Sequence, residues 1–463
     1  MSRTRRWLLF RLLALAFVPA LLVAAELALR AVEEPVPTFA LPAAWDQDVR
    51  VIPDHGRDDL MEIYTGAAGE QRARSSATMR QGRFMHEVDY AVQRPAGVFR
   101  VFCFGGSATL GVPVESTPEQ TFPGRLQALL EEGGLQAEVI NLGGASFGSS
   151  KVVELMSLAA GHQPSAFVVY SGNNEFFEYS LELHRHNAHQ AERLLERRSG
   201  LRLVRWLFGA SDRLRGVAPN AEPPGPQELE LLQRALVRSA VEGEMAADPQ
   251  ASPERLGQLM RRRDAPYRAV VARYEANLDA MVQTARGVAP LILVTVPANL
   301  HEAPFEVAHS PSLSAGDLGR WERLVSRATE QLSAGELQQA VDTLDAAIAL
   351  DPVHARAYAL QGEALADLGD YQRAATSLHN ALELDLAPGR PTAAQGEAIQ
   401  ALHDPPAVVV VDPSASFEAK SLAGGGKGYF HDSCHLTPEG YALLARHLVQ
   451  PLLDAAAAAP TPE

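Results

Sequence analysis

The chain is expected to be an α/β protein with a parallel sheet covered by helices on both faces. Three observations point there. Five short apolar runs stand apart along the sequence, helical stretches separate them, and the polar motifs cluster after the runs. A strand buried on both faces reads as a nearly continuous apolar run, without the alternation of a half-exposed strand.

The runs come in order. Phe99 to Phe104 ends in Gly105-Gly106, as a buried strand ends at a turn. Thr117 to Leu130 reads as a helix, Glu138 to Asn141 as a second strand and Lys151 to Ala160 as a helix. Ser165–Tyr170, Leu291–Val296 and Ala407–Asp412 are the third, fourth and fifth strands. About 120 residues separate the third strand from the fourth, and about 110 the fourth from the fifth. Both gaps exceed a single crossover helix, so both are read as insertions. The first, 181–267, is Arg- and Leu-rich and helical, with a Pro-rich break at Pro219–Pro226. Arg261-Arg262-Arg263 within it reads as a solvated face.

The second insertion, about 318–390, holds a repeat. Gly335–Ala340 returns 34 residues later as Gly369–Ala374, and Leu344, Ala347, Leu350 and Asp351 return as Leu378, Ala381, Leu384 and Asp385. The period, with Tyr358, Gly362, Ala374, Leu378 and Ala381, resembles the tetratricopeptide repeat. Two units are fewer than a free-standing solenoid needs, so they are expected to lean on the main domain or on a protein partner.

The ends are simpler. Arg3, Arg5, Arg6 and Arg11 precede or enter an apolar stretch that runs to Ala25. Counted from Trp7 it approaches the roughly 20 residues needed to span a bilayer. Residues 1–30 are therefore expected to be a transmembrane anchor, or a signal segment cleaved near Val23-Ala24-Ala25. The arginines keep to the cytoplasmic side, so the rest is expected outside the membrane. Residues 31–98 read as a linker and N-terminal extension, and 449–463 as an Ala/Pro-rich tail.

Composition excludes several classes. With 56 acidic against 41 basic residues the net charge is −15, against a general nucleic-acid binder. Two cysteines cannot form a disulfide-dense scaffold or a four-thiolate zinc site. A 21% charged fraction argues against wholesale disorder.

Three motifs carry candidate chemistry: Gly105-Gly106-Ser107 through Gly111, Gly172-Asn173-Asn174-Glu175, and Asp432-Ser-Cys-His435. Each follows a predicted strand, on the side where open α/β sheets bind ligands. In this order they resemble the SGNH (GDSL-type) hydrolase family. The resemblance covers about 100–180, 290–300 and 407–448, and implies a flavodoxin-like three-layer α/β/α hydrolase core over 99–448. It also implies Ser107 as nucleophile, with His435 as base and Asp432 orienting it. The Ser107 N–H and the Asn174 amide would hold the oxyanion, together with a backbone N–H near Gly144 or Ser146, the second block (Asn141–Gly148) leaving that choice open.

The implied reaction is acyl transfer through an acyl-serine, without metal or cofactor. An extracytoplasmic esterase acting on an acylated carbohydrate or lipid is the leading reading. An O-acyltransferase with the same triad, and a non-catalytic envelope scaffold acting through the repeats, are the alternatives. Asn173 and Asn299 are candidates for contact with substrate. His184, His186 and His189 fit no standard ligand spacing, and Cys103 and Cys434 are expected to be two unpaired, buried thiols.

Overall fold

The computed structural model describes residues 60–178 and 265–458, with breaks at 82–83, 115–116, 177, 305–306, 311, 387–388 and 424–427. Residues 1–30, the three histidines at 184–189, Arg261–Arg263 and nearly all of the first insertion lie outside the described residues. Among the described residues, no helix is long and apolar enough to cross a membrane.

The segment read as a weakly patterned extension contains a sheet. Strands β1 (Met61–Thr65), β2 (Gln71–Ser75) and β3 (Asp89–Ala91) pair antiparallel in that order, with helix α1 (Ala77–Gln81) between β2 and β3. Burial alternates along β1 and β2, but the inward positions include Ala73 and Ser75. The period is there in burial and missing in hydrophobicity, which hides it from a sequence reading.

The main sheet begins at β4 (Phe99–Gly105). Helix α2 (Ser107–Leu110) and helix α3 (Phe122–Glu132) follow, then β5 (Ala137–Gly143), α4 (Ser149–Ala159) and β6 (Ala166–Tyr170). Helix α3 starts five residues later than its composition suggests. A 3₁₀ turn occupies Pro118–Gln120, and Thr121 then caps the helix by accepting from the Gly124 N–H at 3.3 Å. Helix α5 (Ala265–Ala285) leads to β7 (Leu291–Val294).

The second insertion forms four helices: α6 (Ala315–Ser333), α7 (Leu337–Leu350), α8 (Ala355–Asp367) and α9 (Tyr371–Glu383). Gly335 and Gly369, 34 positions apart, turn the two hairpins with φ of 75° and 81°, a region that favours glycine. Ala340, Ala347, Ala374 and Ala381 are buried where the helices meet. Then come α10 (Ala393–Gln400), β8 (Val408–Val411), α11 (Ser414–Ala423) and α12 (Pro438–Ala458).

The five strands are parallel, in the order β5-β4-β6-β7-β8. Counted within the sheet this is 2-1-3-4-5, the flavodoxin-like doubly wound order, whose switch point lies beside β4. Alternate residues serve two cores. Phe102, Phe104, Phe167 and Leu293 meet α4, α5 and the N-terminal sheet on one face. Val101, Cys103, Val168 and Ile292 meet α3, α11 and α12 on the other. The three central strands are buried throughout, which is why β4, β6 and β7 read as apolar runs.

The C-terminal segment differs from expectation. Instead of a tail from 449, α12 continues to Ala458 through Pro451, because Leu444, Leu448 and Leu452 form one stripe, fully buried in the core that α3 lines. Leu452→Ala is therefore expected to cost about 2–5 kcal/mol in urea denaturation. A residue in a loose tail would leave the midpoint unmoved.

Candidate active site

Strand β4 delivers Ser107 to the carboxyl edge of the sheet, at the first position of α2. The turn before it has no room for a side chain. A Cβ on Gly106 would lie 2.5 Å from Asn174 Nδ2 and 2.9 Å from the Phe147 carbonyl. Behind the serine, Thr109 Oγ1 donates to the Tyr170 carbonyl at 3.1 Å, which ties α2 to the end of β6.

The histidine loop precedes α12 and, contrary to the linear reading, is separated from β8 by α11. His435 Nε2 lies 2.7 Å from Ser107 Oγ, and its Nδ1 lies 2.6 Å from Asp432 Oδ2. The other Asp432 oxygen accepts from the backbone N–H groups of Cys434 (3.0 Å) and His435 (2.8 Å). The three residues thus form one hydrogen-bonded relay between segments 328 positions apart.

Electrostatics sharpen the relay. Burial alone would raise the Asp432 carboxyl. The hydrogen bond and charge of His435 and the two N–H donors outweigh it and pull the pKa down to about 2. Burial likewise works against a charged His435. The Cys434 sulfur, 3.9 Å from Nδ1, and the Asp432 carboxylate prevail and hold its pKa well above the usual histidine value.

The two backbone candidates for the oxyanion separate here. The Gly144 N–H donates to the Gly105 carbonyl at 3.0 Å, whereas among the described residues the Ser146 N–H has no acceptor. Ser146 also sits at φ 60°, unusual for a residue with a side chain. Asn174 is buried beside Gly106, one amide hydrogen given to the Phe147 carbonyl at 2.9 Å. Asn173 is equally buried, and its Oδ1 has no partner among the described residues.

Asn299, a candidate for contact with substrate, braces the loop beside the relay. Its Nδ2 donates to the Asp432 carbonyl at 3.0 Å, its Oδ1 accepts from His301 N at 3.2 Å, and its carbonyl accepts from buried Arg390 at 2.7 Å. One end of the amide thus holds the loop that carries Asp432 and the other fixes the turn at His301.

Both cysteines are free; Cys103 is buried, but Cys434 is only half-buried, because its loop lies at the rim of the sheet rather than in the core. Asp432, Cys434 and His435 place donor atoms within 4.8 Å of one another. A metal there would have to break the Asp432–His435 bond, so the set fits the relay better than a metal centre.

Sequence reading gave Glu175 no role of its own within its motif and passed over Ser149. Glu175 is fully buried, accepting from the Ser149 N–H at 2.9 Å and from its hydroxyl at 2.6 Å. Burial, reinforced by neighbouring Glu178, pushes its pKa up. The available signal was a charged residue placed directly after an apolar strand and Gly-Asn-Asn. On the far side of that loop, Gln395 of α10 donates to the Gly172 carbonyl at 2.8 Å, beside a cavity of about 160 Å³ over the ends of β6, β7 and β8.

No protein-family model matches the chain, and no curated protein does. Among solved structures, it overlaps a crystal structure from Bacteroides fragilis NCTC 9343, provisionally assigned as an acylhydrolase. The identity is 12% and the TM-score 0.27, over 77% of this chain and 87% of that one. A likeness this slight carries no argument about function, which rests on the chain's own residues.

In an NMR titration the His435 imidazole should change protonation above pH 6.5, the ordinary value. Asp432→Asn should bring the transition down. Because the folded state favours the imidazolium, the linked stability is fully present below that ordinary value and is lost as pH rises through the folded pKa.

Proposed function

We propose that this chain is a serine esterase of the SGNH type, cleaving an acyl ester through an acyl-serine intermediate. The observation that carries the reading is the Ser107–His435–Asp432 relay at the carboxyl edge of a doubly wound sheet. With Nδ1–H donated to Asp432, Nε2 of the neutral imidazole accepts the Ser107 proton as Oγ attacks the ester carbonyl. The tetrahedral oxyanion would be met by the N–H groups of Ser107 and Ser146 and by the second amide hydrogen of Asn174. His435 then returns the proton to the leaving alcohol. A water, deprotonated in the same way, releases the acid and restores Ser107.

The wider setting belongs to the same proposal. The arginine-flanked apolar segment at 1–30 supports a membrane-anchored enzyme facing outward. An acylated carbohydrate or lipid of that compartment is the substrate class. The tetratricopeptide-like helices α6–α9 would offer a surface to a protein partner.

Hydrolysis of p-nitrophenyl butyrate tests the chemistry. Ser107→Ala and His435→Ala should each lower kcat by about 10³-fold or more, and Asn174→Ala by about 10²–10³-fold. Turnover equal in all four proteins would defeat the proposal. The rate should also climb as pH passes above 6.5, since the base must first lose the proton that Asp432 and Cys434 help it keep.

A further inference from the structure

We infer that Glu175 is a positioning residue that fixes the two oxyanion-bearing loops against each other. The inference rests on the esterase reading above. One loop joins β5 to α4 and carries Ser146; the other follows β6 and carries Asn174. Hydrogen bonds of two consecutive residues, Asn174 and Glu175, cross between them. Asn174 Nδ2 donates to the Phe147 carbonyl, and the Ser149 N–H and hydroxyl donate to the two oxygens of Glu175.

The local chemistry explains why a carboxyl group stands there. Helix α4 begins after Gly148, which has no side chain to receive the free N–H groups of the first turn. Glu175 supplies that acceptor from a different loop. Its carboxyl is fully buried, so no solvent can replace a lost bond. The Ser149 hydroxyl is held from both sides, giving its hydrogen to Glu175 and accepting from Asn277 Nδ2 at 2.8 Å. The Glu175 backbone is held in turn, its carbonyl accepting from Arg273 Nη2 at 3.1 Å.

Ser146 gains most from this arrangement. Its left-handed backbone persists only if its neighbours dictate it. On one side Gly144 donates to Gly105 and Ala145 to the Phe84 carbonyl at 2.7 Å. On the other side stand the Phe147 and Ser149 contacts, and Glu175 is the single residue that receives both Ser149 donors. A shift of about 1 Å at a reacting centre costs on the order of a hundredfold in rate.

The test is steady-state kinetics on p-nitrophenyl butyrate with Glu175→Ala, Glu175→Gln and Ser149→Ala in the full chain. Glu175→Ala should lower kcat by about a hundredfold with KM within twofold, because misplaced donors weaken the transition state rather than substrate binding. Glu175→Gln should recover most of the loss, since its amide oxygen can accept from the Ser149 N–H. An unchanged kcat in Glu175→Ala, or a higher KM alone, would overturn the inference. So would equal losses in Glu175→Ala and Glu175→Gln. If Glu175→Ala does not fold, Ser149→Ala decides, a kcat equal to the parent's being the adverse result. Absence of Ser107-dependent turnover in the parent removes the esterase reading and this inference with it. Intact turnover in Glu175→Ala removes the inference alone.

Discussion

The site depends on the close approach of three loops at the end of one strand. Strand β4 lies between β5 and β6, so its terminal turn must fit between their terminal turns. The Gly105 carbonyl accepts from Gly144, Thr109 bonds to Tyr170, and Asn174 reaches across Gly106 to Phe147. Any side chain at Gly106 would push these loops apart. Packing on both faces of the sheet supplies the rigidity, because strands locked in two packed cores cannot slide to relieve the crowding.

The histidine loop is held by a second set of contacts. Asn299, at the end of β7, grips the Asp432 carbonyl, and buried Arg390 grips Asn299 from the segment that follows the helical hairpins. Arg390, at the end of the second insertion, therefore reaches the relay through Asn299. Gln395 does the same for the loop of Asn173 and Asn174. These contacts tie the segment that follows the hairpins to the loops of the site.

Much of this was legible in the sequence because it was local. Buried strands are written as apolar runs, and Ser107, Asp432 and His435 sit in short polar motifs with recognisable spacing. What was not legible depended on partners distant in sequence. The choice between Gly144 and Ser146 turns on a bond to Gly105, and the task of Asn299 on a carbonyl 133 positions away. Sheet β1–β3 escaped notice because its inward positions carry Ala73 and Ser75. The end of α12 was misread because Pro451 and a run of alanines outweighed the leucine stripe.

The order of the chain has a temporal consequence. Ser107 emerges from the ribosome early, but its base comes 328 residues later, and the helix that anchors the base packs against α3, near the beginning. The earliest and latest parts of the core must meet before the nucleophile has any partner. A nascent chain thus carries an idle serine, and on the esterase reading chemistry starts only when the last helix docks.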